Sequence, residues 1–124
     1  MAKMIYQVAL TPDGQAAVLN MQQDEKPETL QHLMLDAPGL EDLISALSKV
    51  RAALPEVVTP TLDPGARLDV QTDPAWQVPD THSGPPGIVL ALRHSGFGWL
   101  AFHLPKAGAK ALSRALASVA KEQL

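Results

Sequence analysis

The sequence predicts an α+β fold: two tandem strand-strand-strand-helix units forming an antiparallel sheet with two helices packed on one face. Three observations predict it. Short segments with period-two apolar alternation precede each of two longer segments that carry a helical apolar stripe. The breaks between segments fall at turn-forming residues. At a constant offset of 69 residues, Leu35, Gly39, Leu43, Ala46, Leu47 and Val50 meet identical residues at Leu104, Gly108, Leu112, Ala115, Leu116 and Val119. These six pairs fall at a strand end, a helix entry and a helix inner face. An internal duplication accounts for them, including a glycine match that amphipathic periodicity alone does not require.

The first half opens on a strand over residues 4–11, with Tyr6, Val8 and Leu10 on one face. Thr11-Pro12-Asp13-Gly14 then places Pro second and Gly fourth, as a type I turn favours. Residues 16–22 alternate again, with Ala17, Leu19 and Met21 on one side, which makes a hairpin. Residues 24–27 are polar and read as a loop, and residues 30–35 as a third strand. A helix follows over residues 38–54, with Asp36 or Ala37 at its cap and Pro38 in its first turn. Leu40, Leu43, Ile44, Leu47, Val50 and Leu54 form its apolar stripe. Pro55 closes it, and Pro55, Pro60 and Pro64 stiffen the connector over residues 55–65.

In the second half, residues 67–72 read as a short strand and residues 73–87 as an irregular stretch holding Pro74, Trp76, Pro79, Pro85 and Pro86. Residues 88–93 and 99–104 read as two strands joined by His94-Ser95-Gly96-Phe97-Gly98, a hairpin turn with a bulge. The last helix spans residues 105–122, with Ala109, Leu112, Leu116 and Val119 facing inward. Leu43, Leu47, Leu112 and Leu116, each in mid-stripe, are expected at the centre of the core.

At 124 residues the chain is the size of one domain, with pseudo-repeat halves 1–54 and 55–124. Hydrophobic residues make up 46% of it but aromatics only 4%, so the core must be aliphatic. With no cysteine, disulfides, thiolate metal sites and a thiol nucleophile are excluded. No signal peptide or membrane-spanning run is visible, and a cytoplasmic location is expected. The net charge of −3 resides in the first half, with four cations against seven anions; the second half balances six against six. Neither half is a basic nucleic-acid footprint.

Strand parity singles out one surface. If the helices cover the face that carries Leu33, Leu35, Phe102 and Leu104, the opposite face presents Leu30, His32 and Met34, aligned with Trp99, Ala101 and His103. The neighbouring strand adds Val89, Ala91 and Arg93. This second face is too apolar to lie bare in water, and such patches mark an interface or a ligand groove. These nine residues are the candidate interface or groove. The stretch over residues 73–87, through Trp76 or Val78, is the one other cover within the chain.

No catalytic motif accompanies them. His32, His82, His94 and His103 show no ligand spacing, so neither a metal site nor a cofactor is expected. Gly96-Phe97-Gly98 joins two strands, so no helix N-terminus stands behind it to receive a phosphate. The serines lack the strand-turn-helix context of a nucleophile. Lys106, Lys110, Arg114 and Lys121 form a basic stripe on the last helix, read as its solvated outer face.

In topology, the tandem strand-strand-strand-helix units resemble the Whirly-type single-stranded-DNA binders. That resemblance implies a basic channel and stacking aromatics, whereas this chain is acidic and poor in aromatics. The reading is a non-catalytic interaction or assembly module, homodimeric through the sheet face opposite the helices, with no membrane partner. The alternative is a small-molecule or single-stranded nucleic-acid binding module using that face as a groove. A third reading is a small enzyme with a His32/His103 site.

Overall fold

The computed structural model describes residues 3–80 and 84–123. The element order is β1 (Met4–Leu10), β2 (Ala17–Gln23), β3 (Lys26–Leu35), α1 (Ala37–Ala53), β4 (Trp76–Gln77), β5 (Ile88–His94), β6 (Gly98–Leu104) and α2 (Lys106–Gln123). The chain is thus α+β, with two tandem strand-strand-strand-helix units. Its contacts gather into two compact units, Met1–Pro64 and Gly65–Leu124, and the division falls in the proline-rich connector. Each unit holds its own three-stranded antiparallel sheet, ordered β1-β2-β3 in the first and β4-β5-β6 in the second.

In the first unit the β1–β2 turn follows its chemistry. Gly14 takes φ +71° and donates its N–H to the Thr11 carbonyl at 2.8 Å. Asp13 accepts from the Thr11 hydroxyl and from the Gln15 N–H at 3.0 Å. These donors, the hydroxyl foremost, hold the Asp13 carboxyl below its ordinary value of 3.8.

The second hairpin is tighter than the sequence suggests, because β3 begins at Lys26 and not at Leu30. Glu25 accepts a left-handed φ of +59°, and Gln23 pairs directly with Lys26. A register shift between Met21 and Gln23 absorbs the misfit, and the Gln23 N–H is taken up by the Thr29 hydroxyl at 2.8 Å. Pro27 is tolerated because β3 is an edge strand.

In the second unit the expected strand over residues 67–72 does not form. Its alternation finds no partner, although the Gln71 side chain accepts from the Ser95 N–H at 2.8 Å. The strand that does pair is Trp76–Gln77, opposite Leu92 and Ala91. Pro74 and Pro79, which have no N–H to give a ladder, confine it to two residues. The β5–β6 hairpin forms without the expected bulge, its register unbroken to His94 opposite Gly98, with Gly98 at φ +78° and His94 Nδ1 accepting the N–H groups of Gly96 at 2.9 Å and Phe97 at 3.0 Å. His94 is thus the last residue of β5, and its ring, which steadies the turn, lies 4.5 Å from that of Phe97. His82 falls outside the described residues.

The duplication is visible in the entry to each helix. One residue, Asp36 in one unit and Pro105 in the other, separates the last strand from the helix. Each offers its carbonyl to the N–H four residues on, Leu40 and Ala109, at 2.9 Å in both cases. Asp36 also caps α1, its side chain accepting the Gly39 N–H at 2.9 Å.

The cover differs from expectation. Each helix meets chiefly the strand it continues, β3 for α1 and β6 for α2, and no residue of either helix is buried. Leu47 is 60% exposed and Leu116 63%, while Leu43 and Leu112 are half-buried, so these four do not form a core centre. The physical reason is the connector. Strand-to-helix links that let a helix turn back over its own sheet run to about two residues or more, and here each is one. Among the described residues only Ala17, on the central strand β2, is buried.

Candidate functional site

Residues directly opposite in an antiparallel pair share a face, so the registers assign every strand residue to a side. In the second sheet, Val89 stands opposite His103, Ala91 opposite Ala101, and Arg93 opposite Trp99. Those six candidate residues therefore form three cross-strand pairs on one face. Gln77 joins them by pairing with Ala91. Trp99 is 51% exposed and lies beside the exposed Arg93. His103 donates from Nε2 to the Pro85 carbonyl at 3.1 Å, which anchors its ring to the segment leading into β5.

In the first sheet, His32 pairs with Asn20 and Met34 with Val18, and Asn20 pairs in turn with Gln7 and Val18 with Ala9. The Nδ1–H of His32 donates to Oδ1 of Asn20. Leu30 lines a shallow depression of about 170 Å³ with Ile5, Gln7, Asn20 and Gln22. The three first-half candidates thus share one face, a more polar one than residues 30–34 suggest. Gln7, Asn20 and Gln22 were legible as its neighbours, since the β1–β2 turn fixes which residues oppose one another. His32 and His103 each have a hydrogen-bond partner of their own within their unit.

The opposite faces are the more apolar. In the first sheet Tyr6 pairs with Met21, Val8 with Leu19, Leu10 with Ala17 and Leu33 with Leu19. In the second, Ile88 pairs with Leu104, Leu90 with Phe102, Leu92 with Leu100, and Trp76 with Leu92. These are the faces the helices were expected to cover. Tyr6, Val8, Leu10, Leu33, Trp76, Leu100 and Phe102 are all exposed on them.

The chemistry available on these surfaces is apolar contact with a few hydrogen-bonding groups. Among the described residues no three His, Asp or Glu side chains gather as a metal site would need. The depression of about 170 Å³ at Leu30 is smaller than the roughly 300–1,000 Å³ of ordinary small-molecule pockets, while an adjoining one of about 380 Å³, lined by Met4, Met21 and Leu30, falls at the low end of that range. No described helix is long and apolar enough to cross a membrane. No family model matches the chain, and no curated protein or solved structure is significantly similar to it.

Proposed function

We propose that the protein is a non-catalytic assembly module that works as a homodimer, with its sheet surfaces buried between copies. The observation that supports this is the pair of apolar faces, one on each sheet, on which Val8 and Leu33, and Leu100 and Phe102, are exposed. A sheet face of this composition is stable in water only under a second layer. Twofold self-association is the commonest source of one. The face of Val89, Ala91, Trp99 and Ala101, with Leu30 and Met34 on the first sheet, takes second rank in the contact. Its apolar residues are interrupted by Arg93, His32 and His103. The test is mass in solution by light scattering. Wild type at tens of micromolar should have twice the 13.2 kDa of one chain, and Phe102→Glu, which would bury an unpaired charge, should restore the single-chain mass. A wild-type monomer, or a dimer indifferent to Phe102→Glu, would refute the proposal for that face.

One observation favours a second reading. Arg93 beside the exposed Trp99 is a cation next to a ring, the kind of platform on which nucleic-acid bases stack. Against it stands the chain's net charge of −3. Quenching of tryptophan fluorescence by single-stranded DNA at physiological salt, lost in Trp99→Ala, would promote this reading over assembly.

A further inference from the structure

We propose that the apolar sheet face of the second unit is covered by the last helix of another copy of the chain. The Leu112 and Leu116 stripe of α2 then lies on the partner copy's Leu90, Leu100 and Phe102, and the exchange is reciprocal about a twofold axis. This rests on the homodimer reading and adds to it which element of the partner does the covering.

The connector disfavours the simplest intramolecular alternative. Pro105 alone joins β6 to α2, and α2 continues from β6 with little contact to its own sheet, so it does not turn back over Phe102. The helix nevertheless carries a one-sided apolar stripe, with Lys106, Lys110 and Arg114 on the other side. Such a stripe is built to lie on a flat apolar surface. The unit contains one such stripe and one such face, and neither holds a buried residue. Two copies of the unit exchanging helices leave neither uncovered, which is the self-complementary arrangement a twofold axis requires.

Surface area supports the same occupant. The chain exposes 10840 Å². Two separate, fully folded bodies of the units' sizes would expose only about 7,700 Å² together. The excess is therefore on the order of 3,000 Å² per chain, even before any burial between the units is considered. It is shared over both units, so an exchange confined to the second would bury roughly half of it on each copy, roughly 3,000 Å² in total, within the range of obligate homodimers. A short peptide or a small ligand would leave most of it bare.

Because the chain has no cysteine, single thiols can report the contact. Leu116→Cys and Phe102→Cys chains, carrying different mass tags, are unfolded together, refolded and oxidised. The expected result is a disulfide between the two kinds of chain that a control pair of Leu116→Cys with Thr61→Cys does not give. Only Leu116–Leu116 products, or no mixed product, from chains that keep the dimer mass would overturn the helix exchange while leaving assembly intact. A wild-type chain that is monomeric would overturn both. If either cysteine disturbs folding, wild type decides the matter. In a dimer mixed from labelled and unlabelled chains, intermolecular nuclear Overhauser effects are expected between the Leu112 or Leu116 methyls and the Phe102 ring. A dimer without them contradicts the proposal.

Discussion

The two units enter their helices in the same way and build the sheets before them differently. Residues 35–40 and 104–109 match in strand end, one-residue connector and first helical hydrogen bond, at the 69-residue offset. Away from that point the likeness decays. The first unit opens on a seven-residue strand, whereas prolines cut its counterpart in the second unit to two residues. The face around His32 is polar, with Gln7, Asn20 and Gln22, while the corresponding face around Ala101 mixes Val89, Ala91 and Trp99 with Gln77, Arg93 and His103. The shared feature is the geometry that holds each helix off its own sheet. The features that differ are edges and surfaces, where substitution costs little unless a partner rests on them.

The largest expected effect sharpens a contrast at the strand preceding each hairpin. Gly87 stands at φ +141° with Leu104 backbone behind it, and a Cβ there would come within 2.3 Å of the Leu104 carbonyl oxygen. Gly87→Ala should cost on the order of 2–4 kcal/mol and lower the melting temperature sharply. A variant that melts with wild type would show that the β5–β6 ladder does not approach Gly87 as described.

Next in size is the cap that one helix has and the other lacks. Asp36→Ala should cost about 1 kcal/mol, read by denaturant midpoint, because the Gly39 N–H loses its side-chain acceptor. Pro105 offers no side-chain acceptor, so Pro105→Ala has no such cap to lose.

The matched glycines should separate in the same assay. A Cβ on Gly108 would meet nothing closer than Pro105 Cδ at 3.7 Å, so Gly108→Ala should stabilise by about 0.5–1 kcal/mol through helix propensity. At Gly39 a Cβ would stand 3.0 Å from the capping oxygen of Asp36, and Gly39→Ala should gain less than Gly108→Ala or lose. Equal effects would break the comparison.

The smallest effect is in pH dependence. The Asp13 carboxyl is held below its ordinary 3.8 by donors that exist only in the folded turn. Its contribution is complete above that value and is lost as pH falls through the lower folded one. Asp13→Asn should therefore flatten the stability curve below about pH 4 and leave its shape near neutrality unchanged.

Much of this fold was legible in the sequence because local rules agree at its strongest points. Expected helices at residues 38–54 and 105–122 form at Ala37–Ala53 and Lys106–Gln123, where cap, proline and apolar period coincide. Strand parity likewise put Trp99 with Ala101, Arg93 and Val89. The misses have particular causes. The start of β3 was hidden by Pro27, which suggests a loop but is harmless at a sheet edge, and by a turn that needs Glu25 in a left-handed conformation. Residues 67–72 alternate without finding a strand to pair with, whereas Trp76 and Gln77, between prolines, do pair. The cover of the sheets was not legible at all. Periodicity shows that Leu47 and Leu116 need an apolar surface, but the identity of that surface depends on a connector length read only once the strand and helix ends are fixed.

Sedimentation equilibrium of the wild-type chain across a concentration series tests the central claim most directly, because the proposed assembly requires a partner copy on the exposed apolar faces whatever its detailed fit. A mass of two chains that persists on dilution through the micromolar range is expected, as an interface of this size would hold. A mass of one chain, 13.2 kDa, at every concentration would contradict it.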